Sequence, residues 1–463
     1  MQCKGDLMKI DQQRRHFLKR ASALTLGASG FYAASAQFQL ANAQVQSTDP
    51  YKALVCIFLF GGNDAFNMLV PSGDAEYNLY QSTRQTLAIS QTDLLALSPD
   101  NSLGLELGLH PSMAGVRDLF NNGQLAFISN IGALVEPVSK TAYKNNTTLL
   151  PPQLFSHNDQ QTFVQSLQSG FKRNGWSGRA ADAMLGVNTN QKLSMNISLG
   201  GSNIWQTGAN VVPYSVDASG VKELENFNKY SADQRELSRI QIYQTLLTQQ
   251  QSHPFVSEFA RSQALAWELA GEVKQALDVQ PALTTVFPAN NPLAASLKMV
   301  AQLISARAAL GVSRQTFFVG MGDFDTHGDQ LRRHVNLLAQ LSAGLNAFYA
   351  ATVELGVSDQ VTSFTTSDFG RTLTSNGDGT DHGWGSHQMI MGGAVKGKHI
   401  YGTYPDLAIN STDDIGEGRI IPTTSIDQYA ATLASWYGVP GSEFSTVFPN
   451  LHRFNTPTLD FFK

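Results

Sequence analysis

The sequence predicts an α/β fold, with a largely parallel sheet held between helical layers. Three observations carry this expectation. Short, continuously apolar runs recur along the chain, as strands buried on both faces require. Amphipathic helical patterns separate them. The composition, 42% hydrophobic and 15% charged over 463 residues, is that of a globular protein with ample material for a core.

Ala53 to Phe60 reads as a central strand, continuously apolar and stopped by Gly61-Gly62. A helix follows His110-Pro111, with Val116, Leu119 and Phe120 on one face. Gln124 to Asn130 is a second strand, and Lys192 to Leu199, Gln315 to Met321 and Val361 to Thr366 are further ones. Leu293, Leu297, Val300, Ile304 and Ala308 form one helical stripe, and Leu331, Leu338, Leu341, Leu345 and Phe348 another. The last helix opens on a capping-box pattern, Ser425-Ile426-Asp427-Gln428, and stops at Gly438 before Pro440. Residues 219–281 are polar and Gln-rich, with stripes through Leu237, Ile240, Tyr243 and Leu247, then Val256, Phe259, Leu269 and Val273. They read as a helical insertion. No repeat or linker divides the rest, so residues 44–463 are expected to form one composite domain.

The first 43 residues read as an address. Arg14-Arg15-His16-Phe17-Leu18-Lys19 precedes a mildly apolar stretch and the small-x-small Ala41-Asn42-Ala43, a pattern that resembles a twin-arginine export signal. The stretch is too short and interrupted to span a bilayer, and nothing later reaches transmembrane length. The expected product is periplasmic or secreted, delivered by the twin-arginine translocase. With 32 Lys+Arg against 37 Asp+Glu, the chain has no basic excess for a nucleic-acid partner. Its two cysteines, Cys3 and Cys56, build neither a disulfide framework nor a thiolate metal site.

Ligands of open parallel sheets bind beyond the carboxyl ends of the strands. Four polar segments fall there: Gly61-Gly62-Asn63-Asp64, Gly322-Asp323-Phe324-Asp325-Thr326-His327, Ser367-Asp368-Phe369-Gly370-Arg371, and Asp381-His382-Gly383-Trp384-Gly385-Ser386-His387. Carboxylates mixed with imidazoles suit a divalent cation, and the lack of thiolates excludes a soft-metal site. Asp325 and His327 face one ion if their turn is strand-like, whereas Asp323 and His327 do so only if it is helical. Ser156, in Phe155-Ser156-His157-Asn158-Asp159, stands where a helix begins. It reads either as an N-cap or as a hydroxyl activated by the helix dipole. His157 is a general acid/base or an outer group, and Arg371 a fork for an anion or a salt-bridged side chain. Gly61-Gly62-Asn63-Asp64 is not a dinucleotide-binding loop.

In their order, LFGGNDAFNMLVP, LHPSM, FSHNDQQTF, GDFDTHGDQ, TSDFGRT, GTDHGWGSHQ and DQYAATLASWYGV resemble the domain-of-unknown-function family fifteen-oh-one, from about Lys52 to Pro440. That family is grouped with the alkaline phosphatase and sulfatase superfamily. The resemblance implies a three-layer α/β/α sandwich with one or two divalent ions (Zn, Mn, Fe, Mg or Ca) at strand ends. It implies metal ligands at Asp64, Asp325, His327, Asp368 and His382, with His387 as a further candidate, and a nucleophile near Ser156. Three features depart from the superfamily: Phe369 stands where a histidine commonly follows the second-metal aspartate, the Asp325-to-His327 spacing is shorter than in alkaline phosphatases unless Asp323 is the ligand, and no sulfatase-type Cys-x-Pro-x-Arg is present. The implied activity is hydrolysis of phosphate or sulfate esters, on a small anionic ester or an envelope polymer. A catalytically degenerate, metal-bearing scaffold of the envelope is the alternative. A second exported family of unknown function is implied as a partner.

Overall fold

The computed structural model describes residues 50–101, 103–169, 174–221, 227, 232–249 and 253–463. Residues 1–43, read above as an export signal, lie outside the described residues, as do parts of 219–281. The body considered below comprises Pro50–Met184 and Asn188–Lys463.

Its centre is a mostly parallel sheet. The strands, in chain order, are β1 (Lys52–Leu59), β2 (Leu69–Pro71), β3 (Leu95–Ala96), β4 (Leu107–Leu109), β5 (Leu125–Gly132), β6 (Asn196–Ser198), β7 (Tyr214–Ser215), β8 (Arg314–Met321), β9 (Val361–Ser367), β10 (Arg371–Ser375), β11 (Thr380–His382), β12 (Ser386–Met391), β13 (Ile400–Tyr401) and β14 (Thr424–Ser425). The main sheet runs β13-β5-β12-β9-β1-β8-β6-β7, with β14 also on β5. Among its described strands only β12 is antiparallel to its neighbours. β2, β4 and β3 make a small separate sheet, and β10 and β11 a hairpin.

β1 lies between β8 and β9, both parallel to it. Its alternate residues serve opposite layers, because successive side chains point to opposite faces. Ala53, Val55, Ile57 and Leu59 join a core with helices Ala114–Asn121, Pro292–Ser305 and Gln330–Glu354, through Val116, Leu297, Val300, Leu341 and Phe348. On the other face Cys56 and Phe58 meet Trp176, Trp205, Phe364 and Tyr429, carried in part by helices Trp176–Ala183 and Ile426–Tyr437. Each such buried side chain contributes about 1.5–3 kcal/mol. The three-layer α/β/α sandwich follows.

The capping box forms as the sequence predicts. Ser425 caps Ile426–Tyr437, the Gln428 side chain returns to the Ser425 backbone, and Gly438 ends the helix in a left-handed conformation. The Gln-rich stretch holds two helices, Gln234–Thr248 and Pro254–Asp278. Ile240, Leu269 and Val273 are buried, whereas Val256 and Phe259, expected on the inner stripe, face solvent. Two strands differ from expectation. The one placed at Lys192 to Leu199 contracts to β6, and β12 arises where a loop through His387 was expected. All six β12 residues are buried, although Ser386, His387 and Gln388 open it with polar side chains.

The registers Leu59↔Met321 and Leu59↔Ser367 bring the ends of three adjacent parallel strands level. Asp325 and Asp368 follow immediately beyond that line.

Candidate metal centre

Four segments meet past these strand ends. His157 is the first residue of helix His157–Ser166, which Ser156 precedes as N-cap. Asp325 and His327 lie in the turn after β8, Asp368 directly follows β9, and His382 ends β11 opposite Arg371 on β10.

The three imidazoles are oriented in the same sense. His157 Nδ1 is 2.7 Å from Asp368 Oδ2, His327 Nδ1 is 3.0 Å from Asp381 Oδ1, and His382 Nδ1 is 2.7 Å from the Phe155 carbonyl oxygen. Carboxylate and carbonyl oxygens only accept, so each Nδ1 carries a proton and each Nε2 is left to face Asp325. Those Nε2 atoms converge on Asp325. His327 and His382 approach Oδ1 at 3.0 and 3.4 Å, and His157 approaches Oδ2 at 3.5 Å. The Nε2 atoms of His327 and His382 are themselves 2.9 Å apart. Two lone pairs at that distance repel unless a proton or a metal cation lies between them. His157 Nε2 is buried without a hydrogen-bond partner. Donor atoms of His157, Asp325 and His382 all lie within 4.8 Å of one another, the spacing of a metal-holding group.

The charges around this point are firmly held. Burial pushes the Asp325 carboxyl up, but the Arg371 guanidinium at 2.7 Å and the nearby imidazoles outweigh it and hold it below the usual carboxylate range. Its hydrogen bond to Asp368 raises His157 against the opposing effect of burial. Burial lowers His382. Asp381, which burial raises, is held low overall by the Asn376 amide and by His327. The Asp325 and His327 side chains are 43% and 45% exposed, so the cluster opens to solvent on one side.

Several sequence expectations change. Ser156 Oγ donates to Asp159 Oδ2 at 2.6 Å, so its hydroxyl is turned into the helix's first turn. Arg371 is no free anion fork. Its buried guanidinium bonds Asp325, the Gly61 carbonyl, and the side chain and carbonyl of Thr380. Asp64 stands outside the cluster, wholly buried and paired with Arg84 and the Gln330 amide. His387 is also elsewhere, because β12 turns it inward between Phe66 and Tyr404. Asp368 bonds His157 through Oδ2. Of the two open carboxylates, Asp325 takes the site. Asp323 has φ 72°, and its carbonyl accepts from Arg333. Phe369 packs its ring 4.9 and 4.7 Å from those of His157 and His382.

Residues not taken as site candidates from the sequence complete the arrangement: Asp381, Asn376, Gln161 and the Phe155 backbone. Asp381 was within reach of sequence reasoning, as an acidic neighbour of His382. The Phe155 carbonyl was not, since any residue supplies one.

A family model for proteins of unknown function, DUF1501, matches residues 51–428. The chain belongs to this family. Similar solved structures include the PsFucS1 sulfatase from Pseudoalteromonas sp., 9% identical over 92% of this chain and 74% of that one, with a TM-score of 0.32. The lipoteichoic acid synthase LtaP from Listeria monocytogenes is 8% identical over 87% and 78%, with a TM-score of 0.31. A variant of the alkaline phosphatase PafA is 10% identical over 70% and 64%, with a TM-score of 0.28. These likenesses are weak, and the chemistry of the DUF1501 site rests on its own geometry. No curated protein matches the sequence. Among the described residues, no helix is long and apolar enough to cross a membrane.

Proposed function

We propose that this protein is an exported, metal-dependent hydrolase of phosphate or sulfate esters. One observation carries the reading: three imidazole Nε2 atoms, each ring held by an oxygen acceptor behind its Nδ1, converge on a carboxylate that opens to solvent. Outer groups that fix the tautomer of a histidine are the usual support of a metal ligand. Imidazole nitrogens with one carboxylate oxygen suit Zn, Fe or Mn better than Mg or Ca, which prefer all-oxygen shells. A bound divalent ion supplies Lewis-acid polarisation of an ester oxygen.

The chain's own residues do the rest. His157, His327, His382 and Asp325 hold the ion, while Asp368, Asp381 and the Phe155 carbonyl aim the rings. The N-terminus of helix His157–Ser166 lies at the centre, and its positive end attracts an anionic ester. The export reading rests on Arg14-Arg15 and the segment after them, with the twin-arginine translocase as carrier. Its substrate is then a small anionic ester or an envelope polymer.

A second reading is a metal-bearing scaffold of the envelope, with a second exported protein as partner. The engagement of Ser156 with Asp159 and of Arg371 with Asp325 favours it, since two of the three catalytic candidates are occupied.

The test loads purified protein with Zn, Mn or Fe and assays p-nitrophenyl phosphate, bis-p-nitrophenyl phosphate and p-nitrophenyl sulfate. Metal-dependent turnover that disappears in His327→Ala with His382→Ala supports the hydrolase. Tight metal binding with no turnover on any ester supports the scaffold. No binding of any of these ions removes both.

A further inference from the structure

Resting on the metal reading above, we infer that the centre holds one metal ion, and that the buried Arg371 guanidinium supplies the second positive charge of the site. Asp368 is the carboxylate placed to anchor another ion beside His157, but its Oδ2 is already engaged. That oxygen receives the His157 Nδ1–H at 2.7 Å, the Gln161 amide at 2.9 Å and the Gly61 N–H at 3.3 Å. The following residue adds no ligand, because Phe369 sets an aromatic ring against His157 and His382. Asp64 is neutralised by Arg84. Among the described residues, the only group of metal-holding side chains is the one around Asp325.

Arg371 meets the same Asp325 oxygen that His327 and His382 approach. It is fully buried, 2.7 Å from Asp325 Oδ1 and 3.2 Å from the Gly61 carbonyl and Thr380 Oγ1. The charge count then closes. One divalent ion and one guanidinium balance Asp325, Asp368 and Asp381. A second divalent ion leaves two uncompensated positive charges in a partly buried site, which is costly. Asp368 Oδ1 and Ser386 Oγ are both buried without partners. Both residues line a cavity of about 10 Å³ with Thr366 and Ser367. That space fits a water molecule bridging the two oxygens.

Native mass spectrometry of the Zn-loaded protein, with elemental analysis, counts the ions. One per chain is the expected result. Two per chain overturns the inference while leaving the hydrolase reading standing, and none overturns both. Zn affinity of Arg371→Gln then separates charge from support. Loss of a neighbouring positive charge tightens Zn binding, by about tenfold, with Arg371→Lys unchanged. A guanidinium that only positions Asp325 gives the opposite sign, weaker binding in Arg371→Gln, and that result overturns its charge role. Should Arg371→Gln fail to fold, the ion count and the affinity of Arg371→Lys decide, a weakened Arg371→Lys counting against.

Discussion

Two groups of Asp and His, one gathered on Asp325 and one around Asp64, are wired in opposite senses. Around Asp325, every Nδ1 donates to an oxygen and every Nε2 turns toward the carboxylate. Around Asp64, the Nδ1 atoms of His110 and His387 accept backbone N–H groups from Ser112 and Asn130, so each lone pair is spent on the main chain. His334 turns Nε2 to the Asn63 side-chain oxygen at 3.0 Å. Solvent differs as well. Asp64 is fully buried, with Arg84 as its counter-ion, and burial lowers His110 to about 4 and His334 and His387 to about 3. The same residue types make a ligand set in one place and a neutral polar core in the other. Tautomer and access decide which.

The contrast is broken most severely at Arg84. Arg84→Leu strands the Asp64 carboxylate in the interior, and breaking a buried pair from one side costs about 3–5 kcal/mol. Denaturant unfolding should show that loss, whereas His327→Ala, at a half-exposed position, should stay within about 0.5 kcal/mol of the parent. Equal losses in the two variants would erase the distinction.

A smaller effect is expected at Asp381, the group behind His327. Asp381→Asn should weaken Zn binding by about 10–100-fold, the usual cost of losing an outer partner, with unfolding unchanged. Isothermal titration with Zn checks it, and an unaltered affinity would remove Asp381 from the site.

A further effect is a pH dependence assigned to the buried group. His110, His334 and His387 stay neutral in the folded chain, with pKa values of about 3–4, whereas unfolded histidines titrate near 6.5. Between those values the unfolded state binds more protons, so stability falls as pH drops from about 6.5 toward 4. His387→Phe should flatten that slope in denaturation series at pH 7 and pH 5. An unchanged slope would place His387 outside the effect.

Much of this fold is legible in the sequence because burial writes itself into periodicity. The continuous apolar run of β1 and the Ser425–Gln428 capping box lead directly to the observed elements. β12 hid because its first residues, Ser386, His387 and Gln388, are polar yet buried, which is a tertiary outcome. The site was legible as a list of residue types following strands, which is how Asp325, His327 and His382 came into view. It was illegible in direction. No spacing shows that Asp64 meets Arg84, that His387 turns inward, or that His157 points at Asp325, since each depends on partners distant in the chain.

Gly61 has φ 111°, donates its N–H to Asp368 Oδ2 and accepts from the Arg371 guanidinium at its carbonyl, and a Cβ there would collide with the Asp325 backbone nitrogen. A residue without a side chain therefore ties together three that carry charge. A mutational scan scored on metal retention should find this position as intolerant as the ligands themselves. Sequence drift at the centre is limited as much by the room the backbone leaves as by the groups that gather on Asp325.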